Sequence, residues 1–268
     1  VAAVSLGLGV FVVLFSESYL SLETGQEKYY AMLLAMIAMI VGLGCACDLF
    51  NLWIWFETMA IASYLLVAFY NERPASLEAG IKYLVQSAAG SVFVLIGIGI
   101  VYAQTGQLNI NEIKAAGISS PSLLVAGVLF VFGYGVKAAL VPLHTWLPDA
   151  HSQAPSGISA MLSGIVIEAG LVAMLRSLGT LSSATTFWGP LMIFFGVLNM
   201  FIGNMLALPQ KQVKRMLAYS SLTHVGYMLV GLGIAIHLGN SDGAVGGMFH
   251  LFNHGLMKGL AFLSAGAL

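Results

Sequence analysis

Nine stretches of this 268-residue chain are each long and apolar enough to cross a bilayer, a pattern that no water-soluble fold accommodates. A hydrocarbon core of roughly 30 Å takes about 20 mostly apolar residues per helix. By that ruler the expected spans are Val1 to Tyr19, Tyr29 to Asp48, Asn51 to Tyr70, Leu77 to Ala103, Pro121 to Val141, Ser156 to Leu178, Phe187 to Leu208, Val213 to His237, and Gly243 to the end. Strands do not fit, because an open sheet edge cannot be satisfied in lipid and the alternating ten-residue pattern of a barrel is missing. The fold class is an all-α integral membrane protein, one transmembrane domain over residues 1–268. Since the chain starts without Met and stops within an apolar run, a fragment of a longer protein is expected.

Only 8% of the residues are charged, against about 25% in soluble domains. The formal net charge of -1 offers no field for a nucleic-acid partner. Lys28, Arg73, Lys211, Lys214 and Arg215 fall in one set of loops, whereas the opposite set holds Lys114, with Arg176 near a helix end. The positive-inside bias thus puts the N-terminus outside and the Lys211 to Arg215 loop in the cytoplasm or its equivalent. Trp53, Trp146 and Trp188 fall near helix ends and are expected as interfacial anchors. Cys45 and Cys47 lie two apart in an apolar run, point in different directions on a helix, and read as small core residues.

Several ionisable residues lie too deep for water. Glu57 is about six residues, or roughly 10 Å, into its span. Lys137 lies in VFGYGVKAALVPLHTW, where Gly135 and Pro142 mark a helix break. Pro142 has no N–H, so the carbonyl of Ala138 is expected to lose its helical partner, leaving a polar pocket at the break. Glu168, His224 and Lys258 sit at similar depths in later spans. At about 3 kcal/mol for each charge near the bilayer centre, such a set is costly and must face protein or water. Neighbouring groups would lie about one helix diameter apart, roughly 10 Å, a gap that water bridges and a direct hydrogen bond does not. Proton exchange is the chemistry such groups suit, since it needs tunable bases and acids rather than a nucleophile.

His250 and His254 are four apart on one helical face, and His144 and His151 flank a Pro-rich turn. These histidines are candidates for proton entry or relay. Neither pair has a third ligand that would make a metal site, so no metal is assigned. No phosphate loop, nucleophile elbow or cysteine cluster is present, and no cofactor is expected on this chain.

The segments PLHTWLPDAHSQAPSGISAMLSG from Pro142, DLFNLWIWFETMAIASYLL around Glu57, KRMLAYSSLTHVGYMLVGLG around His224 and FHLFNHGLMKGLAFLSAGAL around Lys258 closely resemble the antiporter-like membrane subunits of complex I and of Mrp-type cation/proton antiporters, also found in membrane-bound hydrogenases. The resemblance covers most of the chain from about Tyr29. It implies a fourteen-helix fold with two inverted five-helix repeats, the first over residues 29–179 and an incomplete second over 186–268. It further implies that Glu57 and Lys137 pair and switch during proton transfer, that Lys82 accompanies them, that His224 is a family histidine, and that Lys258 is the axis lysine of the second repeat. Glu168 departs from the pattern, standing where these subunits usually carry Lys or His.

The function implied is proton translocation as a non-redox subunit of an oxidoreductase complex, in a bacterial or archaeal cytoplasmic membrane or an organelle's energy-converting membrane. Flavin, iron-sulfur or nickel-iron centres and quinone are expected on partner membrane-complex subunits. A Na+/H+ antiporter subunit without redox activity is the second reading, and a structural scaffold the third.

Overall fold

A computed structural model describes residues 1–181 and 187–268. The chain forms α1 (Ala2–Tyr19), α2 (Gln26–Cys45), α3 (Leu49–Val67), α4 (Pro74–Thr105), α5 (Ile110–Ala116), α6 (Pro121–Lys137), α7 (Trp146–Gln153), α8 (Ser156–Met161), α9 (Ile167–Thr180), α10 (Trp188–Ala207), α11 (Val213–Leu238) and α12 (Ser241–Ala267). A π-turn over Leu162–Val166 joins α8 to α9 in one rod. Among the described residues the sole strand-like feature is an isolated antiparallel bridge between Asp48 and Asn109.

Local chemistry sets these limits. Asp48 caps α3 by accepting from the Asn51 amide at 2.7 Å, while Asn109, Ser120 and Asn240 cap α5, α6 and α12 in the same way. Pro74 and Pro121 open α4 and α6, where a missing N–H costs nothing. Gly106 and Gly239 close α4 and α11 with left-handed φ of 67° and 64°.

Among the described residues seven helices are long and apolar enough to span a membrane: α1 to α4, the α8–α9 rod, α10 and α11. The expected nine spans are not all met by that measure. The 17-residue α6 is shorter because it ends at the break, and the 27-residue α12 is not among the seven. Thr186, which opens the expected second repeat, lies outside the described residues.

The rod from Ser156 to Thr180 is the centre of the molecule, with 89% of its most apolar window buried, whereas the other spans have 22–50%. Its neighbours are α1, α2, α3, α5, α6, α7 and α12. Glycines let the partners of other helices approach closely: a Cβ on Gly196 of α10 would come within 2.8 Å of the Gly226 carbonyl of α11. Large apolar side chains such as Phe11, Val85, Phe194 and Leu260 face outward. Lys137, Glu168, His254 and Lys258 face inward, the inverse of a water-soluble protein.

Candidate functional site

Lys137 is the last residue of α6 and is 1% exposed. Its ammonium donates to the Tyr83 hydroxyl at 2.6 Å, to Ser87 Oγ at 3.3 Å and to Ser63 Oγ at 3.4 Å. It also sits 4.3 Å from the centre of the Tyr83 ring. Tyr83 stacks flat on Trp146 at 3.9 Å, and the Trp146 indole donates to the Val136 carbonyl at 2.7 Å. Residues from α3, α4 and α7 thus close a cage of hydroxyls and aromatic faces around one cation. Trp146 is fully buried in this cage and Trp188 is 2% exposed, so neither is an interfacial anchor. The short α7 packs between α4 and α11, which apolar spacing alone does not reveal.

Glu57 is half-buried on α3, and its Oε2 has no hydrogen-bond partner among the described residues. None of the ion pairs among the described residues joins it to Lys137. The expected Glu57–Lys137 pair is therefore open in this arrangement.

The break comes earlier than Pro142. Ala138 caps the C-terminus of α6, Ala139 takes a left-handed φ of 55°, and the Leu140 amide reaches back to the Gly135 carbonyl at 2.8 Å. The Val141–Pro142 peptide is cis. Pro142 lies beyond a helix that has already stopped, and Gly135 takes part through its carbonyl rather than through a special φ. Asn199, which the sequence reading missed, bonds the broken backbone: its Oδ1 accepts from the Val141 amide at 2.8 Å and its Nδ2 donates to the Ala139 carbonyl at 3.2 Å.

Across the rod lies a second group. Glu168 on α9 and His254 on α12 are both fully buried, with Oε1 and Nδ1 2.9 Å apart. Glu168 lies two residues past the end of the π-turn, a feature that recurs at functional sites. The His254 ring lies 5.3 Å from that of His224, whose Nδ1 is 3.0 Å from Nε2 of His250. Lys258, one turn beyond His254, is 2% exposed and donates to the Leu217 carbonyl at 3.2 Å. The same carbonyl accepts from Ser221, which lies 2.6 Å from Ser163 on the π-turn. The expected gaps of a helix diameter do not hold here, because α11 and α12 present their histidines to one another directly.

Lys82 stands apart. Its side chain is 47% exposed and pairs with Glu78 at 2.8 Å and Asp149 at 3.0 Å, and Arg215 of α11 meets the same Asp149 at 2.5 Å. These side chains line a polar cavity of about 140 Å³. They bind α7 to α4 and α11 at the surface, not in the buried row. His144 is 9% exposed with Nδ1 unpartnered among the described residues. His151 is fully buried, stacks on Phe262 at 4.5 Å, and has neither ring nitrogen bonded among the described residues. Cys45 and Cys47 are free and exposed where α2 ends, not in the core. Among the described residues no three His, Cys, Asp or Glu side chains converge as a metal site.

A multi-pass helical membrane protein with a broken helix and enclosed acids and bases is the class these features define. Residues 46–268 match the model of the NADH:quinone oxidoreductase/Mrp antiporter transmembrane family, and the chain belongs to that family. It is 34% identical over 266 residues to NADH-quinone oxidoreductase subunit N of Desulforudis audaxviator, spanning 96% of this chain and 52% of that protein. It is 34% identical over 242 residues to hydrogenase-4 component B of Escherichia coli, spanning 87% of this chain and 36% of that protein. Among solved structures, it is similar to a chain of the membrane-bound sulfane sulfur reductase, an archaeal respiratory membrane complex, with a TM-score of 0.86, 33% identity, and coverage of 99% of this chain and 55% of that one. The chain thus spans about half, or less, of these relatives.

Proposed function

We propose that this chain carries protons through the membrane as part of an antiporter-like subunit of a redox-driven complex. The observation that carries the reading is Lys137: a buried ammonium at the end of a broken helix, held by hydroxyls and aromatic faces without a bonded carboxylate. Burying a charge in this way is expensive, and apolar replacement would favour a mere scaffold. Glu57 stands ready on α3 as its exchange partner. The Glu168–His254 contact, the His224–His250 contact and Lys258 continue the row on the other side of the rod. Buried polar atoms require partners, and His144 Nδ1, both His151 nitrogens, Glu57 Oε2 and Glu168 Oε2, which have none among the described residues, are where internal water would complete the path.

Electron transfer takes place on partner subunits, which hold the flavin, iron-sulfur or nickel-iron centres and meet the quinone. Relatives that are subunits of a quinone oxidoreductase and of a hydrogenase support this assignment. The family description also includes Mrp antiporters, which favours exchange of Na+ for H+ as the second reading.

Reconstitution of the complete subunit in its complex, in vesicles enclosing a pH-sensitive dye, tests the proposal. Lys137→Ala abolishes proton movement and leaves assembly intact; wild-type rates in that variant would overturn it. Copurified flavin, iron-sulfur or nickel-bearing chains separate the redox reading from the antiporter one.

A further inference from the structure

We propose that Asn199 positions the break after Lys137 and ties it to α11, so that ion movement through Lys137 depends on the Asn199 side-chain amide. This rests on the transport reading given above. Where α6 stops, the backbone of Ala139 and Val141 leaves the helical ladder, and buried N–H and C=O groups must find other partners. Asn199 is fully buried on α10 and supplies both, through Oδ1 to the Val141 amide and Nδ2 to the Ala139 carbonyl. The second Nδ2 proton points to the Leu222 carbonyl of α11 at 3.5 Å. All the donors and the acceptor of one carboxamide are thus used at the junction of α10, α11 and the break.

Packing explains why this side chain reaches all three. Gly196 and Gly203 flank Asn199 on the buried stripe of α10, and a Cβ on either would come within 2.8 Å or 2.5 Å of α11 atoms. The helices approach backbone to backbone there, which brings the amide between them within reach of α11. Leu222 is two residues from His224, so one side chain bonds both the loop after Lys137 and the turn of α11 that leads to the histidine group. A left-handed Ala139, which alanine adopts only under outside constraint, is held in the centre of that bracket.

Leucine has the same branched four-atom side-chain skeleton as asparagine, though a larger volume, and no donor or acceptor, whereas a protonated aspartic acid keeps one of each. Tyr134 and Lys137 near the end of α6, His144 of the break, and Tyr219, His224 and Tyr227 around Leu222 of α11 are the titratable residues on the segments that meet here; the buried stripe of α10 adds none. The expected outcome is that Asn199→Leu assembles and loses proton movement by about tenfold or more, the effect of unmade buried hydrogen bonds. Asn199→Asp works near wild-type rates in acid and fails as its carboxylate forms opposite the Ala139 carbonyl. Transport by Asn199→Leu within about twofold of wild type, or a pH-flat loss in Asn199→Asp, would overturn the proposal. If Asn199→Leu fails to assemble, the Asn199→Asp profile decides. Equal transport by wild type and Lys137→Ala would sink the transport reading instead. In that event hydrogen exchange across residues 138–145, faster in Asn199→Leu if the amide holds the break and unchanged if it does not, still settles the positioning role.

Discussion

His254 Nδ1 and Glu168 Oε1 lie 2.9 Å apart, with both side chains fully enclosed between α12 and α9. The shared proton can sit on the imidazole or on the carboxyl, because the two groups are in direct hydrogen-bond contact. The histidine partner is what makes a buried carboxyl tolerable in this place. Acid and base are thereby matched in the middle of the protein, where an unpaired charge would be costly.

Glu168→Gln keeps a hydrogen bond to His254 and removes the exchangeable carboxyl. Proton movement should fall by about tenfold or more while thermal unfolding shifts little, whereas Glu168→Ala orphans the imidazole and costs about 1–3 kcal/mol. Dye-monitored vesicles together with calorimetry check both. Wild-type rates in the Gln variant would remove Glu168 from the path. Glu168→Lys replaces the acid with a base and should alter pumping or ion preference; an unchanged pH profile would show that the sign of this group does not matter.

Tyr83 is the shortest contact of Lys137, at 2.6 Å, and also the ring that stacks on Trp146. Tyr83→Phe keeps the stack and deletes the acceptor. Hydrogen bonds to charged groups contribute about 1.5–3 kcal/mol, so the variant should lose stability on that scale and slow transport about tenfold. A Phe variant with unchanged melting and rate would mean that the hydroxyl does not hold the ammonium.

The apolar runs were enough to place most of the membrane helices, because burial in lipid leaves a signal in every window of 20 residues or so. Lys137, Glu168 and Lys258 were legible for the same reason, as charges that lipid does not accept. Lys82 came from the family resemblance alone, and it stands near the start of a 32-residue α4, about 48 Å at the helical rise and so longer than a 30 Å core. Trp146 misled because a short helix folded back into the interior looks like a helix end. His224, His250 and His254 were each visible, but their contact depends on how α11 meets α12, which no spacing along one helix encodes. Asn199 was legible in principle, as an amide amid glycines in an apolar run, and was passed over because it carries no charge.

Lys82 and Asp149 provide a contrast with the buried row. Their pair is solvent-exposed on the lysine side, and exposed ion pairs contribute little. Lys82→Ala should therefore transport within about twofold of wild type, with only its salt dependence changed. Asp149→Asn, which releases both Lys82 and Arg215 from α7, should have the larger effect of the two. Complete loss of transport in Lys82→Ala would return that lysine to the proton path.

Gly170 of α9 faces the base of Lys137 so closely that a Cβ there would lie 2.9 Å from the Ala138 amide nitrogen and 3.0 Å from Lys137 Cβ. These are backbone and stem atoms, not the free end of a flexible chain, so they cannot move aside independently. Overpacking of this type costs about 1–3 kcal/mol, and here the strain falls on the residue that ends α6. Gly170→Ala should lower the unfolding temperature and displace the ammonium from its hydroxyl cage, slowing proton movement more than an alanine on the outward face, such as Gly99→Ala, where nothing lies within 4 Å. Parallel melting curves and vesicle assays on the two variants measure the difference; equal behaviour would show that the contact between α9 and α6 does not govern Lys137.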